Sequence, residues 1–182
     1  MHINEQRKLV QLVREIVQAA PLYYAQIMDY NFNYQQTGAG WGWVSGHGGP
    51  YRYEKTHPIT GKMLPPIPQE FLDIAAEHGL KADAMLINYY TAGSTLRLHR
   101  DTDEKDLTAP VVSLSFGDTA KFSIGPTYTR QEVIDLTSGS VMTLAGITRL
   151  HYHGVNSIVS GSGPVGLLRN GGRINVTLRK SQ

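Results

Sequence analysis

The sequence predicts an α+β domain that is mostly β, a sandwich or barrel with helices packed on one face. Two observations carry this. From residue 84 onward the chain breaks into short alternating or apolar runs separated by Gly, Pro, Asp and Ser, with no helical period between them. Ahead of residue 84, two segments place apolar residues at the i, i+3, i+4 spacing of amphipathic helices. The 182 residues and 20.1 kDa suit one domain with a full-sized core, and neither a repeat nor a dividing linker interrupts them.

The first helix starts at Asn4 as N-cap, presents Leu9, Leu12, Val13, Ile16 and Val17 on one face, and stops at Pro21. It begins almost at Met1, so a preceding N-terminal segment is expected in the native chain. Residues 30–66 are rich in Gly, Pro and aromatics, among them Trp41, Trp43, His47, Tyr51, Tyr53 and His57. A long structured loop of this kind is a lid or binding loop, although each Trp is equally compatible with a core position. The second helix has Pro68 at its first turn, Phe71, Leu72 and Ala75 facing inward, and Gly79 as its stop. The strand-like runs follow at 84–91, 96–100, 111–117, 121–124, 132–136, 140–144, 149–153 and 173–179, and the Gly-rich piece 160–172 is expected to be a mobile loop.

Composition excludes more than it assigns. With 41% hydrophobic and 18% charged residues the chain is neither disordered nor membrane-spanning, since no run approaches the roughly 18 apolar residues a bilayer requires. There is no cysteine, which removes disulfides, thiol catalysis and thiolate-held metals. The formal charge of +2 and pI near 8.8 are compatible with a nucleic-acid partner and equally ordinary for a soluble enzyme. Without an apolar signal core at the N-terminus, a cytoplasmic monomer is the expectation.

The chemistry concentrates in Asn88–Asp103, NYYTAGSTLRLHRDTD. Asn88 with Tyr90, and His99 with Asp101, are alternate-residue pairs, and on an extended strand each pair points to one face. An imidazole and a carboxylate joined by a second imidazole make the donor set of non-heme Fe(II) oxygenases. His151 and His153 in RLHYHG are both candidates for that third ligand, and spacing does not choose between them. In 173–179, Ile174, Val176 and Leu178 form one face, and Arg173, Asn175, Thr177 and Arg179 the other. The polar face either meets water or lines the interior. Inside, two guanidinium groups demand anionic partners, and a dicarboxylate ligand matches their geometry.

In this order, N-x-Y, H-x-D-x-D, R-x-x-x-H-G and R-x-N-x-T-x-R resemble the AlkB family of Fe(II)- and 2-oxoglutarate-dependent dioxygenases, closest to the bacterial DNA-repair group. APVVSLSFG and GW…PYRYEKTHPITGK…PPIP look like further parts of the same pattern, which covers nearly the whole chain from about residue 5. The resemblance implies a double-stranded β-helix (jelly-roll) core over about 84–182, two N-terminal helices on one sheet, and a nucleotide-recognition lid over about 30–66. It matches His99, Asp101 and His153 to the iron ligands, against His151. It matches Arg173 with Tyr90 to the clamp on the distal carboxylate of 2-oxoglutarate, and places Asn88, Asn175 and Arg179 in the same pocket. Asp103 matches a contact to the exocyclic amine of the damaged base. Trp41, Tyr51 and Tyr53 match lid aromatics, with Trp43 as the alternative to Trp41, and Arg130 matches a basic residue on the substrate side.

The implied activity is oxidative demethylation of N1-methyladenine and N3-methylcytosine in single- or double-stranded DNA, with RNA as the alternative, using Fe(II), 2-oxoglutarate and dioxygen. Ser140 and Ile147 stand where relatives commonly carry acids, and the strand expected before the first helix is missing. These departures bear on substrate preference. The rival readings are a dioxygenase of the same chemistry acting on a small metabolite or protein side chain, and a binding module without turnover. The intact ligand and clamp motifs argue against the latter.

Overall fold

The computed structural model describes residues 1–27, 30–46 and 49–182; His47 lies outside them. Helix α1 (Ile3–Ala19) is followed by β1 (Tyr23–Ile27), β2 (Tyr30–Gly40) and the hairpin β3 (Gly42–Gly46) and β4 (Gly49–Glu54). Helix α2 (Gln69–Glu77) leads into β5 (Ala84–Tyr90), β6 (Leu96–His99), β7 (Val111–Gly117), β8 (Thr119–Thr127), β9 (Arg130–Leu136), β10 (Val141–Leu144), β11 (Tyr152–Val159) and β12 (Arg173–Arg179). Antiparallel pairing gives a six-stranded sheet in the order β1-β2-β5-β12-β7-β10, a four-stranded sheet β6-β11-β8-β9, and the separate β3-β4 hairpin. Among the described residues no helix is long and apolar enough to cross a membrane.

Strand alternation sorts the six-stranded sheet into two environments. Met85 and Ile87 of β5, Val112, Leu114 and Phe116 of β7, and Val176 and Leu178 of β12 meet Leu9, Val10, Val13 and Ile16 of α1 and Phe71 and Ala75 of α2 in one buried core. Each large aliphatic side chain removed from water there contributes roughly 1.5–3 kcal/mol before entropy is charged against it. The register pairs Asn175 with Asn88 and Ser115, and Arg173 with Tyr90, so polar residues share the opposite face. That face turns toward the four-stranded sheet, where Tyr34 and Tyr90 pack with Phe122, Leu136, Val155 and Ile158. The polar side of β12 therefore lines the interior of a sandwich and does not meet water.

Several local expectations shift. The N-cap of α1 is His2, whose Nδ1 accepts from the Asn4 amide at 3.4 Å, so Asn4 lies inside the helix. The expected 30–66 lid is only partly loop, because residues 30–40 are an interior strand of the six-stranded sheet, bounded by an unforeseen β1. The 149–153 strand starts later: Gly146–Thr148 form a short 3-10 turn capped by Arg149, and β11 runs from Tyr152 to Val159. The 160–172 piece is pinned. Leu167 is buried in the helix-sheet core, Arg14 donates to its carbonyl at 2.9 Å, and the Asp118 carboxylate accepts from the amides of Gly163 and Gly172.

Candidate active site

Residues of both sheets and of the β3-β4 hairpin enclose a cavity of about 810 Å³. At one end, His99 and His153 stand directly opposite each other on β6 and β11, and Asp101 follows His99 by two residues. The possible ligand atoms of these three residues all lie within 4.8 Å of one another. His99 Nε2 is 3.7 Å from Asp101 Oδ1, and His153 Nε2 is 3.8 Å from Asp101 Oδ2, too far for hydrogen bonds and open to an ion between them. Each ring is oriented the same way. Nδ1–H of His99 donates to the Arg97 carbonyl at 2.9 Å and Nδ1–H of His153 to the His151 carbonyl at 3.0 Å, which leaves both Nε2 lone pairs directed inward.

The Asp101 carboxylate is buried, and its Oδ2 has no hydrogen-bond partner. Burial alone would raise this carboxyl; Arg179 and the two histidines outweigh it and hold the group well below the usual carboxylate range. Burial pushes His153 down to about 4, against the pull of Asp101, so the ring is neutral at pH 7, the form that ligates metals. A buried carboxylate with one orphaned oxygen, faced by two imidazole Nε2 atoms, fits a divalent cation.

The opposite end fits an anion. Arg173 is 1% exposed, and its guanidinium lies 5.3 Å from the centre of the Tyr90 ring. Nη2 donates to Ser115 Oγ at 3.0 Å, whereas Nε and Nη1 have no partner, and burial lowers the Arg173 pKa. Beside it, Asn88 Nδ2 donates to Tyr90 Oη at 3.2 Å and Asn88 Oδ1 is unpartnered. A carboxylate arriving from the cavity would give this buried guanidinium the anionic acceptor that its free donors lack. Arg179 is already engaged: Nη2 donates to Asp101 Oδ1 at 2.9 Å, and Nε is 3.3 Å from Glu104 Oε1. Asn175 is bonded internally to Ser113 Oγ, the Leu114 carbonyl and Thr177 Oγ1, which stiffens the cavity wall.

At the mouth, Trp43 of β3 and Tyr51 of β4 stack with ring centres 4.8 Å apart and planes 22° from parallel. The Trp43 Nε1–H donates to Asp103 Oδ2 at 2.7 Å, closing the hairpin over the end of the His99–Asp101 segment.

Residues 2–179 match the 2OG-Fe(II) oxygenase superfamily. The chain is 38% identical to an alpha-ketoglutarate-dependent dioxygenase AlkB homolog of Caulobacter vibrioides (strain NA1000 / CB15N) over 189 residues, 100% of this chain and 84% of that protein. The chain belongs to the AlkB family of 2OG-Fe(II) oxygenases. A second relative, DNA N(6)-methyladenine demethylase ALKBH1C of Arabidopsis thaliana, is 32% identical over 161 residues, 71% of this chain and 35% of that protein. The structure of OsALKBH1 superposes with a TM-score of 0.83 at 29% sequence identity, covering 98% of this chain and 94% of that one. The cofactor and co-substrates of this AlkB-family oxygenase are accordingly Fe(II), 2-oxoglutarate and dioxygen.

Not every expected residue reaches the cavity of the oxygenase. Of the two tryptophans, Trp43 lines it; Trp41 bridges to Ala84 and carries the Lys55 ammonium over its ring at 4.9 Å. Tyr53 turns behind the metal cluster, where its hydroxyl donates to Glu104 Oε1 at 2.6 Å. Arg130 is exposed at the tip of the β8-β9 hairpin, outside the lining, and His151 contributes its carbonyl alone to the cluster.

Further residues shape the site beyond those the motifs assign. Glu104 and Arg149 form a buried ion pair of 3.1 Å, and Phe32 and Tyr34 of β2 stack in series onto Tyr90. The F-x-Y spacing of Phe32 and Tyr34 is the sequence signal for the latter, and it lies inside the expected lid segment.

The His99–His153 opposition also depends on Gly154 of the AlkB-family chain. A Cβ there would stand 2.5 Å from the Leu96 carbonyl oxygen and 3.1 Å from backbone atoms of Arg97 and Leu98. Gly154→Ala should therefore push β6 away from β11 and displace His99. A displacement near 1 Å lowers turnover by about 10²-fold, and a Co(II) titration beside a melting curve separates this from loss of fold.

Proposed function

We propose that this oxygenase demethylates N-alkylated nucleobases, N1-methyladenine and N3-methylcytosine, in DNA, with RNA as the second nucleic acid to test. The observation that carries this is the mouth of the cavity: an aromatic pair from a hairpin, hydrogen-bonded through Trp43 to a carboxylate two residues beyond a metal ligand. The name of the Arabidopsis relative, a DNA demethylase, supports it.

In this reading His99, Asp101 and His153 hold the iron, and Arg173 with Tyr90 and Asn88 receives the distal carboxylate of 2-oxoglutarate. Arg179 steadies Asp101, and Asn175 braces the wall between them. With iron and 2-oxoglutarate bound, the site would supply hydroxylation of an N-methyl carbon by dioxygen, one oxygen atom going to that carbon and the other to the succinate formed as 2-oxoglutarate loses carbon dioxide, and the hydroxymethyl base would then release formaldehyde.

The chain's own work is placement. A paired base cannot reach a cluster this far inside, so the target enters single-stranded or flipped out. Trp43 and Tyr51 offer a π-face to it, and Asp103 Oδ1, the oxygen that Trp43 leaves free, is set to accept from an exocyclic amine. Leu86, Val111, Met142, Leu144 and Val155 line the cavity with apolar surface that excludes water from the reacting carbon.

The test is incubation with Fe(II), 2-oxoglutarate and an oligonucleotide carrying N1-methyladenine or N3-methylcytosine, read by mass spectrometry. Loss of one methylene mass per lesion, with stoichiometric succinate, is expected. Succinate without methyl loss from any methylated DNA or RNA would transfer the chemistry to a small metabolite or a protein side chain. Trp43→Ala should raise KM for the oligonucleotide by roughly tenfold, within the range of about 1–3 kcal/mol that base stacking contributes.

A further inference from the structure

Behind the metal cluster lies a buried network of two carboxylates and two guanidinium groups, and we infer that Glu104 at its centre is a positioning residue that couples the seating of the β3-β4 hairpin to the poise of Asp101. Glu104 is 7% exposed. Its Oε1 accepts from the Tyr53 hydroxyl at 2.6 Å and stands 3.3 Å from Arg179 Nε. Its Oε2 accepts from Arg149 Nη2 at 3.1 Å. Arg149 then donates from Nη1 to the backbone carbonyl of Asp101 at 2.9 Å and from Nε to that of Ala109 at 2.8 Å. Arg179 closes the circuit on Asp101 Oδ1 at 2.9 Å.

This wiring has two consequences. Arg179 is paired with both carboxylates, so it fixes Oδ1 of Asp101 and leaves Oδ2 without a hydrogen-bond partner, 3.8 Å from His153 Nε2. The charges also balance, two against two. Without the Glu104 charge, two buried guanidinium groups would face one carboxylate at the spot a divalent cation must enter, and the added positive potential opposes that entry.

The hairpin joins the network in register. Tyr53 is the cross-strand partner of Trp43. Trp43 donates to Asp103 and Tyr53 to Glu104, so adjacent acids each take one hydrogen bond from the hairpin. A shift of the hairpin that frees the mouth must also disturb the carboxylate paired with Arg179.

The inference rests on the reading in which His99, Asp101 and His153 hold the iron, and Co(II) is the probe that separates the two. Glu104→Gln keeps the size and an acceptor oxygen but loses the charge, and should weaken Co(II) binding about tenfold to a hundredfold, as outer-shell partners of metal ligands do. Tyr53→Phe leaves the Glu104 charge in place, so it should weaken Co(II) binding less than Glu104→Gln does while raising KM for a methylated oligonucleotide. The double variant should show no KM increase beyond that of Glu104→Gln, because the two act through one hydrogen bond.

A folded Glu104→Gln protein that binds Co(II) like the parent, or KM effects that add, would overturn the inference. Should Glu104→Gln fail to fold, Glu104→Asp retains the charge and must bind Co(II) like the parent; a tenfold loss there overturns the charge argument. A parent protein that binds no Co(II) sensitive to Asp101→Ala would overturn the metal assignment itself, and this inference with it.

Discussion

Replacing Asp101 with alanine is expected to abolish turnover and Co(II) binding together, and to destabilise the protein by about 3–5 kcal/mol, the usual result of removing one member of a buried ion pair. Both losses trace to one carboxylate. Oδ2 is the orphaned oxygen 3.8 Å from His153 Nε2, and Oδ1, 3.7 Å from His99 Nε2, holds the buried Arg179. Asp101→Asn separates them. It retains the volume and an oxygen that can accept from Arg179, so it should recover part of the lost melting temperature and none of the activity. Turnover by Asp101→Ala at the parent's rate would show that the metal sits elsewhere.

The second large effect has the opposite sign for stability. Arg173→Met should raise KM for 2-oxoglutarate at least thirtyfold, corresponding to the lower end of the about 2–5 kcal/mol lost when one partner of a buried charge pair is truncated. The ligand-free protein should keep or gain stability, because Nε and Nη1 of Arg173 are buried without partners and an apolar side chain of similar volume removes that penalty. Thermal melts with and without 2-oxoglutarate read both. The parent gains melting temperature as the ligand binds, whereas Arg173→Met starts no lower and gains little. Arg173→Lys keeps the charge but not the two-pronged geometry, and should fall between them. A ligand-free Arg173→Met protein that melts well below the parent would show that Arg173 supports the fold more than the ligand.

Much of this was legible in the sequence because it depends on a period of two. His99 and Asp101, Asn88 and Tyr90, and the alternating residues of β12 each announce a shared face. Which face of β12 turns inward was not legible, since alternation looks the same either way round; it is decided by helices covering Ile174, Val176 and Leu178 from outside. Strand β2 lacks large aliphatic residues, and its Phe32 and Tyr34 lie in a stretch rich in glycine and aromatics, so its alternation does not stand out. At Gly38 a Cβ would meet the Met85 carbonyl at 2.6 Å, so its small residues reflect close pairing with β5, and its polar Gln36 and Thr37 are buried but bonded to Tyr23 and the Ala20 carbonyl. His151 and His153 would share a face on one continuous strand, but the turn at Gly146–Thr148 delays β11 to Tyr152, which takes His151 out of the period. Arg149 opens the R-x-x-x-H-G motif, but nothing in the spacing pairs it with Glu104, because a buried ion pair between two connecting segments has no period.

Strand β12 carries a further consequence. It is paired on both sides, to β5 and β7, and a slip of one residue would place Arg173 and Arg179 under the helices and three branched aliphatics in the cavity. Correct threading and co-substrate recognition are thus written in the same seven residues. Only a chain that has zipped in frame can present both guanidinium groups to the interior, so a molecule of 2-oxoglutarate that binds is also an inspector of assembly, retaining the properly threaded form and passing over every other.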